Sequence, residues 1–279
     1  MSLFLLILQY GATVSQLPPE ILDRKAIEAR RSTPAAGPVL PPVAGSGCID
    51  EMISSPAAGA IAAQKALDRA KGEQRVRAGL CLGAALGAME RWDEARTAFL
   101  QARDAAAATD VASRARLGAM AGNAALAAGS AEAALAILDT AQADARSTED
   151  NALTGTVAID RARALVALGR QDQAATALTE ARAALPDNAQ AWLLSATLSR
   201  RADNLSEAQA QIERAAQLSP RDPEIGLEAG VIAVLDGRED AARKSWQSVV
   251  DGAPQSEAAE TASGYLAQLE GTAPRDNTP

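Results

Sequence analysis

Histidine is absent from the 279-residue chain. Its absence removes the commonest general base, the commonest metal ligand and the side chain that most often changes charge near neutral pH. Aromatic residues make up only 3% of the sequence, although apolar residues make up 48%. Alanine therefore supplies much of the apolar fraction, which suits helices that pack closely through small side chains.

A surplus of basic residues is also missing, since the net charge is −8. Nucleic acid is therefore not expected as a partner, because few counterions would be released on binding. No glycine-rich phosphate loop is present, and the carboxylates Asp222, Glu224 and Asp240 are scattered rather than paired. Without histidine, a hydrolase would need a Ser-Lys or a paired-carboxylate arrangement, and neither stands out. We predict no catalytic residue, no cofactor and no enzymatic activity.

Cysteine occurs only twice, as Cys48 and Cys81. Neither belongs to a CxxC motif, which excludes the usual zinc and iron–sulfur sites and leaves no expected metal site. In an exported chain the two cysteines would form a disulfide, worth about 3–4 kcal/mol in the chain-entropy model. In a cytosolic chain they would instead be two unpaired, small core residues.

Long apolar runs are absent as well. The run from Leu3 to Leu8 is too short to span a membrane, and small residues follow it from Gly11 to Ser15. This pattern resembles a secretory signal that lacks its basic start, so we predict a signal peptide over 1–15 and no stable transmembrane span in the mature chain. A start upstream of Met1 would explain the missing basic residues. The alternative is an apolar N-terminus that packs against the fold or frays.

Residues 16–47 are predicted to hold a short charged helix, Glu20 to Arg31, and a proline-rich linker. Pro34, Pro38, Pro41 and Pro42 forbid a helix in the linker and favour an extended, semi-rigid spacer.

The clearest positive feature is a 34-residue period between Gly155 and Ser256. Three kinds of residue recur at this spacing. Alanine recurs as Ala174, Ala208 and Ala242, proline as Pro186, Pro220 and Pro254, and a bulky apolar residue as Leu178, Ile212 and Trp246. Such a period is typical of a solenoid of helical hairpins.

An earlier segment, LGAALGAMERWDEARTAFLQA over 82–102, resembles the tetratricopeptide repeat. The matching positions are a Leu-Gly pair, a bulky residue, and then alanine, an aromatic residue and alanine: Leu82, Gly83, Leu86, Ala95, Phe99 and Ala102. Similar matches follow at Gly122, Ala134 and Leu138, at Leu165, Ala174 and Leu178, at Trp192, Ala196 and Ile212, and at Gly230, Ala242 and Trp246. The resemblance implies an all-α fold, a right-handed superhelix (α-solenoid) of helical hairpins.

Several positions refine this prediction. Glycine or alanine at the Gly83 position would let two helices cross closely, and the bulky residue of the second helix would fill the space between neighbouring hairpins. Gly129, Gly169 and Gly237, and a turn near Glu90-Arg91, would close the hairpins. The equivalent alanines Ala95, Ala134 and Ala174 stand 39 and 40 residues apart, so five or six extra residues follow each of the first two clear hairpins. The repeat domain is predicted over 48–269, with a capping helix from Glu257 to Leu269 and a polar, disordered tail over 270–279.

The resemblance also implies a concave groove lined by the first helix of each hairpin. The predicted partner-binding residues are Arg77, Arg116, Asn123, Arg163, Leu193, Thr197, Arg200 and Arg201, beside Leu80, Ala84 and Ile159. The arginines would receive an acidic peptide or a C-terminal carboxylate, and Asn123 would bond to its backbone. The alternative is that these arginines only solvate the surface or pair with nearby Glu and Asp.

The sequence therefore predicts a non-enzymatic scaffold or adaptor that binds a protein or peptide partner, in the periplasm or secreted. Two alternatives remain open: a cytosolic adaptor or chaperone partner with the same groove, and an accessory subunit that regulates an enzyme. The sequence does not indicate the oligomeric state.

Overall fold

The computed structural model describes residues 55–272, which form helices joined by short turns and contain no strand. The helices of this part of the chain are α1 (Pro56–Arg69), α2 (Gly72–Ala88), α3 (Trp92–Ala105), α4 (Val111–Ala127), α5 (Ala131–Arg146), α6 (Asn151–Ala167), α7 (Gln171–Ala184), α8 (Ala189–Arg201), α9 (Leu205–Leu218), α10 (Pro223–Leu235), α11 (Glu239–Gly252) and α12 (Glu257–Thr272). The predicted signal peptide, the short helix and linker, Cys48 and residues 273–279 lie outside the described residues.

The predicted repeat domain divides into two compact units. Of the described residues, 55–218 with α1 to α9 form the N-terminal unit, and 219–272 with α10 to α12 form the C-terminal unit. Helices pack in antiparallel pairs, α2 with α3, α4 with α5, α6 with α7 and α8 with α9, and in the second unit α10 with α11. We call the earlier helix of each pair its first helix and the later one its second helix. The predicted fold class, an all-α solenoid of helical hairpins, is confirmed, and its superhelical handedness stays a prediction.

The five described hairpins close with the same turn. One residue in each turn has a left-handed backbone: Glu90, Gly129, Gly169, Asp203 and Gly237, with φ between 58° and 76°. The next residue donates its N–H to a carbonyl five residues earlier, as in Arg91 N to Leu86 O at 2.9 Å. This hydrogen bond is the Schellman closure of a helix end, which favours glycine at the left-handed position. The predicted turn positions are confirmed.

Within a hairpin, a large side chain of the second helix covers a glycine of the first. A Cβ atom added at Gly83 would lie 2.5 Å from the Phe99 ring, and one at Gly230 would lie 2.1 Å from Trp246 Nε1. The bulky residues thus pack first inside their own hairpin. Trp246 also fills the space toward the next helix, since its ring centroid lies 5.0 Å from that of Tyr265 on α12. The close helix crossing predicted for the Gly83 position is what the structure shows.

The extra residues lengthen the first helices of the two hairpins that follow them. Helices α4 and α6 have 17 residues each, whereas α8 and α10 have 13. Asp110 and Asp150 begin the longer helices, because their side chains accept hydrogen bonds from Ser113 N and Leu153 N. The longer spacing between equivalent alanines is therefore due mainly to about one additional turn in each of these two first helices.

Charged pairs join the second helices of neighbouring hairpins. Arg103 on α3 donates to Asp144 on α5 over 2.8 Å, and Arg146 on α5 makes two bonds of 2.7 and 2.6 Å to Glu180 on α7. First helices also touch, since α4 packs against α6. The N-terminal unit therefore has two layers, one of first helices and one of second helices, with an alanine- and leucine-rich core between them.

In the C-terminal unit, α12 packs on α11 and on α10, as predicted for a capping helix. It continues to Thr272, past Leu269 where it was predicted to end, so residues 270–272 belong to the helix rather than to the tail. The core of this unit gathers around Trp246, Tyr265 and Val231.

Candidate functional site

The predicted groove residues lie on the layer of first helices. In the N-terminal unit Arg77 is on α2, Arg116 and Asn123 are on α4, Arg163 is on α6 and Thr197 is on α8. These residues stand at helically related offsets from the small residue at which the two helices of each hairpin cross. They therefore lie on equivalent faces of their helices. We call the surface that they share the first-helix face.

Charge is segregated between the two layers of this unit. The four first helices, α2, α4, α6 and α8, contain eight arginines and two acidic residues, a formal charge of +6. The four second helices, α3, α5, α7 and α9, contain five arginines and ten acidic residues, a formal charge of −5. The whole chain is acidic, so a basic layer of first helices is a local property of this unit. Such a layer produces a positive electrostatic potential at its surface.

Three of the predicted arginines pair with neighbouring carboxylates. Arg77 bonds to Glu73 one turn earlier on α2. Arg116 on α4 lies 3.1 Å from Asp150, the residue that caps α6. The first pair is exposed and the second half-exposed, so each contributes little to stability. The alternative interpretation, that these arginines pair with nearby acidic residues, agrees with both contacts.

The third pairing is different because its carboxylate is buried. Asp160 on α6 is only 4% exposed. Arg163 Nη1 donates to Asp160 Oδ1 over 2.7 Å, and Asn123 Nδ2 on α4 donates to Asp160 Oδ2 over 2.8 Å. Burial raises the pKa of the Asp160 carboxyl, against the lowering effects of the Arg163 charge and of the two hydrogen bonds. The three side chains form a polar cluster across the seam between two hairpins.

The predicted apolar members of the face are recessed. Ile159 and Leu193 are each 5% exposed, so they form the floor beneath the face and offer little contact area. The hydroxyl of Thr197 donates to Leu193 O over 3.1 Å, within its own helix. Leu80 and Ala84 are partly exposed. The spacing in the sequence predicted the helix on which each of these residues lies but not how deeply its side chain is buried.

Arg200 and Arg201 lie in the last turn of α8. Arg200 is partly exposed and Arg201 is exposed. Two positive charges at a helix C-terminus are favoured by the partial negative charge of the unpaired carbonyls there. Their position on the helix therefore gives them a structural role in addition to the binding role predicted from the sequence.

Asp160 was not among the residues predicted from the sequence. A signal for it existed in the repeat itself: the residues at the same register in the other hairpins of this unit are Cys81, Met120 and Leu194, whereas the C-terminal unit has Glu228. Within the N-terminal unit, a carboxylate at a register that is apolar in the other three hairpins stands out once they are aligned.

Cys81 lies on α2 and carries no free thiol, since it is disulfide-bonded in the structure. Its expected partner, Cys48, lies outside the described residues, and the pairing stays a prediction.

Between residues 55 and 272 no group of three or more Cys, Asp or Glu residues is arranged to hold a metal ion. In the same range no helix has the length and hydropathy needed to cross a membrane.

Solved structures with the same fold are tetratricopeptide-repeat proteins. PilW, a type IV pilus biogenesis factor, aligns with a TM-score of 0.63 and 18% identity over 77% of this chain and 94% of its own. TTC0263 of Thermus thermophilus aligns with a TM-score of 0.55 and 21% identity over 70% of this chain and 99% of its own. YrrB, described as having an unusual peptide-binding site, aligns with a TM-score of 0.52 and 18% identity over 74% and 99%. No protein-family model and no curated protein matches the chain. At these identities the likeness establishes the tetratricopeptide-type fold.

Proposed function

We propose that this protein is a non-enzymatic interaction scaffold, and that the first-helix face of residues 55–218 binds an acidic segment of a partner protein. The observation that carries the proposal is the charge of +6 on the first helices beside −5 on the second helices. A face of one sign attracts a ligand of the other sign and orients it during encounter.

The arrangement of donors on this face supports a carboxylate ligand. Arginine presents a planar fork of N–H donors that matches a carboxylate, and Arg77, Arg116 and Arg163 are spread over three successive first helices. Arg77 and Arg116 are held only by exposed or half-exposed ion pairs. A partner carboxylate would replace a weak internal contact with a contact of the same kind, at small cost.

An extended acidic segment is the ligand we favour. Asn123 is exposed, and its amide can both donate to and accept from a peptide backbone. Ile159 and Leu193 are each only 5% exposed, so they offer no apolar site for a large anchoring side chain, which favours a polar, extended ligand.

We further propose that the scaffold works outside the cytosol, in the periplasm or secreted. The disulfide at Cys81 supports this location, because structural disulfides persist in oxidising compartments and are rare in the cytosol. PilW, a structure of similar fold, is a pilus biogenesis factor, which at the level of fold analogy fits a role in the cell envelope. N-terminal sequencing of the mature protein and a thiol titration test the location. An intact Met1 together with two free thiols in cytosolic extract would contradict it.

Binding is tested by fluorescence anisotropy of the full-length protein with fluorescein-labelled hexaglutamate, with hexalysine as the opposite-charge probe. We expect hexaglutamate to bind, with weaker binding as the salt concentration rises. Any hexalysine binding should go to the acidic second helices and should not weaken when Arg77 and Arg116 are replaced. The double variant Arg77→Gln/Arg116→Gln should lower the affinity about tenfold, equal to about 1.4 kcal/mol.

The matched control removes two arginines from the second helices, Arg96→Gln/Arg214→Gln. It changes the net charge by the same amount, so an equal loss of affinity would show that only net charge matters. Such a result, or no binding of hexaglutamate to the wild-type protein, would overturn the proposal.

A further inference from the structure

The seam between α4 and α6 contains a buried carboxylate that holds two groups of the first-helix face. Asp160 accepts from Asn123 of the preceding hairpin at 2.8 Å and from Arg163 of its own helix at 2.7 Å. Both of its oxygens are used, one for each donor. Asp160 itself is 4% exposed and offers almost no surface to a ligand.

Packing alone does not require a carboxylate here. The register of Asp160 is two residues before Ala162, the small residue of the hairpin crossing. At the same register the other hairpins of the N-terminal unit have Cys81, Met120 and Leu194, and the C-terminal unit has Glu228. The fold therefore accepts apolar side chains at this register. A buried carboxylate is costly to desolvate, and replacing a buried ion pair with apolar residues is often neutral or stabilising. The carboxylate therefore needs an explanation beyond the fold.

The effect of the Asp160 carboxylate on Asn123 and Arg163 suggests such an explanation. Asn123 is exposed and Arg163 is partly exposed, and without a partner each side chain would sample several rotamers in solvent. With one atom of each bound to Asp160, the remaining amide oxygen of Asn123 and the second terminal nitrogen of Arg163 have fixed positions. The Nε atom of Arg163 is buried, so the guanidinium can present only its outer edge. Groups held in this way lose less entropy when a ligand binds.

We propose that Asp160 is a positioning residue, which holds Asn123 and Arg163 in the orientation that receives an extended acidic peptide. The inference rests on the proposed function of the first-helix face, and it adds the residue that organises that face.

The test is the sign of the change in affinity when Asp160 is replaced. Asp160→Asn and Asp160→Leu each remove a negative charge from beneath a basic face, so electrostatics alone predicts tighter binding of an anionic peptide. Positioning predicts the opposite. We expect both variants to keep the helical circular dichroism of the wild type and to bind fluorescein-hexaglutamate about fivefold more weakly, a change of about 1 kcal/mol.

The Asp160→Leu variant is expected to fold, because another hairpin already has a leucine, Leu194, at this register. It therefore separates loss of binding from loss of the fold. Glu180→Gln is the matched control: it removes one carboxylate from the Arg146–Glu180 pair, whose two members both lie on second helices. Its affinity for hexaglutamate should equal or slightly exceed that of the wild type.

The outcomes separate the two proposals. Wild-type binding that Arg77→Gln/Arg116→Gln weakens, but that both Asp160 variants leave unchanged or strengthen, overturns the positioning role alone. Unfolding of both Asp160 variants assigns Asp160 to the fold and also overturns it. Absence of wild-type binding to hexaglutamate overturns the proposed function and this inference with it.

Discussion

At the scale of single residues, each hairpin depends on a small side chain opposite a large one. Gly83 and Gly230 on first helices lie under Phe99 and Trp246 on second helices, and Gly122 lies under Leu138 in the same way. The large residues are 6% exposed or less, so none can move outward to accept a methyl group. These positions require glycine because the facing side chain of the second helix leaves no room for a Cβ atom.

The tightest of these contacts gives a stability prediction. A Cβ at position 230 would lie 2.1 Å from Trp246 Nε1, and Trp246 also donates to Leu227 O at 3.1 Å, so its ring cannot shift freely. We expect Gly230→Ala to lower the free energy of unfolding by about 2 kcal/mol, within the usual cost of overpacking. Gly264→Ala is the control: it meets no atom within 4 Å at an exposed position of α12 and should gain about 0.5–1 kcal/mol. Urea denaturation measures both. Equal effects of the two substitutions would refute the packing argument.

Two turns close with a side chain where glycine would fit better. Glu90 has φ of 58° and Asp203 has φ of 62°. A left-handed conformation costs about 1–2 kcal/mol for most residues, less for aspartate, and glycine adopts it without strain. We therefore expect Glu90→Gly to raise the free energy of unfolding by about 1 kcal/mol and Asp203→Gly by less.

The reverse substitution is the control for the turns. Gly129 has φ of 76° with open space around its Cβ position, so Gly129→Ala should destabilise by about 1 kcal/mol through backbone strain alone. Thermal unfolding of the three variants in one buffer makes the comparison. A destabilised Glu90→Gly variant would be inconsistent with strain at that turn.

The sequence predicted these residue-scale features well, because they repeat. The roles of Gly129, Gly169 and Phe99 can be predicted because equivalent residues recur at the same offset in the other hairpins. Asp160 could not be found in the same way, since its donor Asn123 is 37 residues away on another hairpin and its burial depends on both helices. The pairing of Arg116 with Asp150 depends on side-chain reach across the seam between hairpins, which periodicity does not encode.

At the scale of helices, neighbouring hairpins are held together by the charged pairs of the second helices. Glu180 on α7 accepts two hydrogen bonds from Arg146 and a third, at 2.9 Å, from the buried amide of Gln142. Both donors are on α5. The Arg103–Asp144 pair joins α3 to α5 in the same way. We expect these directional contacts to favour one register between neighbouring hairpins.

The Glu180 pair has a pH dependence of known sign. The hydrogen bonds from Arg146 lower the pKa of Glu180 below its ordinary value of 4.5, against the raising effect of burial. A carboxyl whose folded pKa is depressed stabilises the fold above the unfolded pKa and loses that contribution as the pH falls through the folded pKa. We expect Glu180→Gln to cost about 1 kcal/mol at pH 7, allowing for solvent screening at the half-exposed Arg146, and nothing once the wild-type carboxyl is protonated.

Urea denaturation between pH 7 and pH 3 measures this difference. Glu213→Gln on α9 is the control, since Glu213 is exposed and bonds only to Gln209 of its own helix. A constant difference between wild type and Glu180→Gln across the pH range would rule out the ion pair as its cause.

At the scale of the molecule, the two units have separate apolar cores. Trp246, Tyr265 and Val231 belong to the core of the C-terminal unit, and Leu138 and Leu165 belong to a core of the N-terminal unit. Repeat arrays are stabilised by contacts between neighbours, so damage to one core need not spread to the other. The sequence predicted one continuous repeat domain and gave no sign of this division, because the 34-residue period runs through it.

Core truncation tests this independence. Trp246 is 1% exposed, and Trp246→Ala should cost the C-terminal unit about 3–5 kcal/mol. Hydrogen exchange followed by mass spectrometry should show lost protection in α10 to α12 and retained protection in α2 to α8. Leu138→Ala, at a fully buried site of the N-terminal unit, should give the converse pattern. Loss of protection throughout the chain in either variant would show a single cooperative core.

The segregation of charge between the layers of the N-terminal unit has a kinetic consequence. Opposite formal charges on its two layers, +6 and −5, give this unit a permanent electric dipole directed across the hairpins. For the acidic partner proposed above, the resulting torque would turn the first helices toward the partner before any contact is made. The dipole would then act on the rate at which productive encounters form, and the short-range contacts would set the lifetime of the complex.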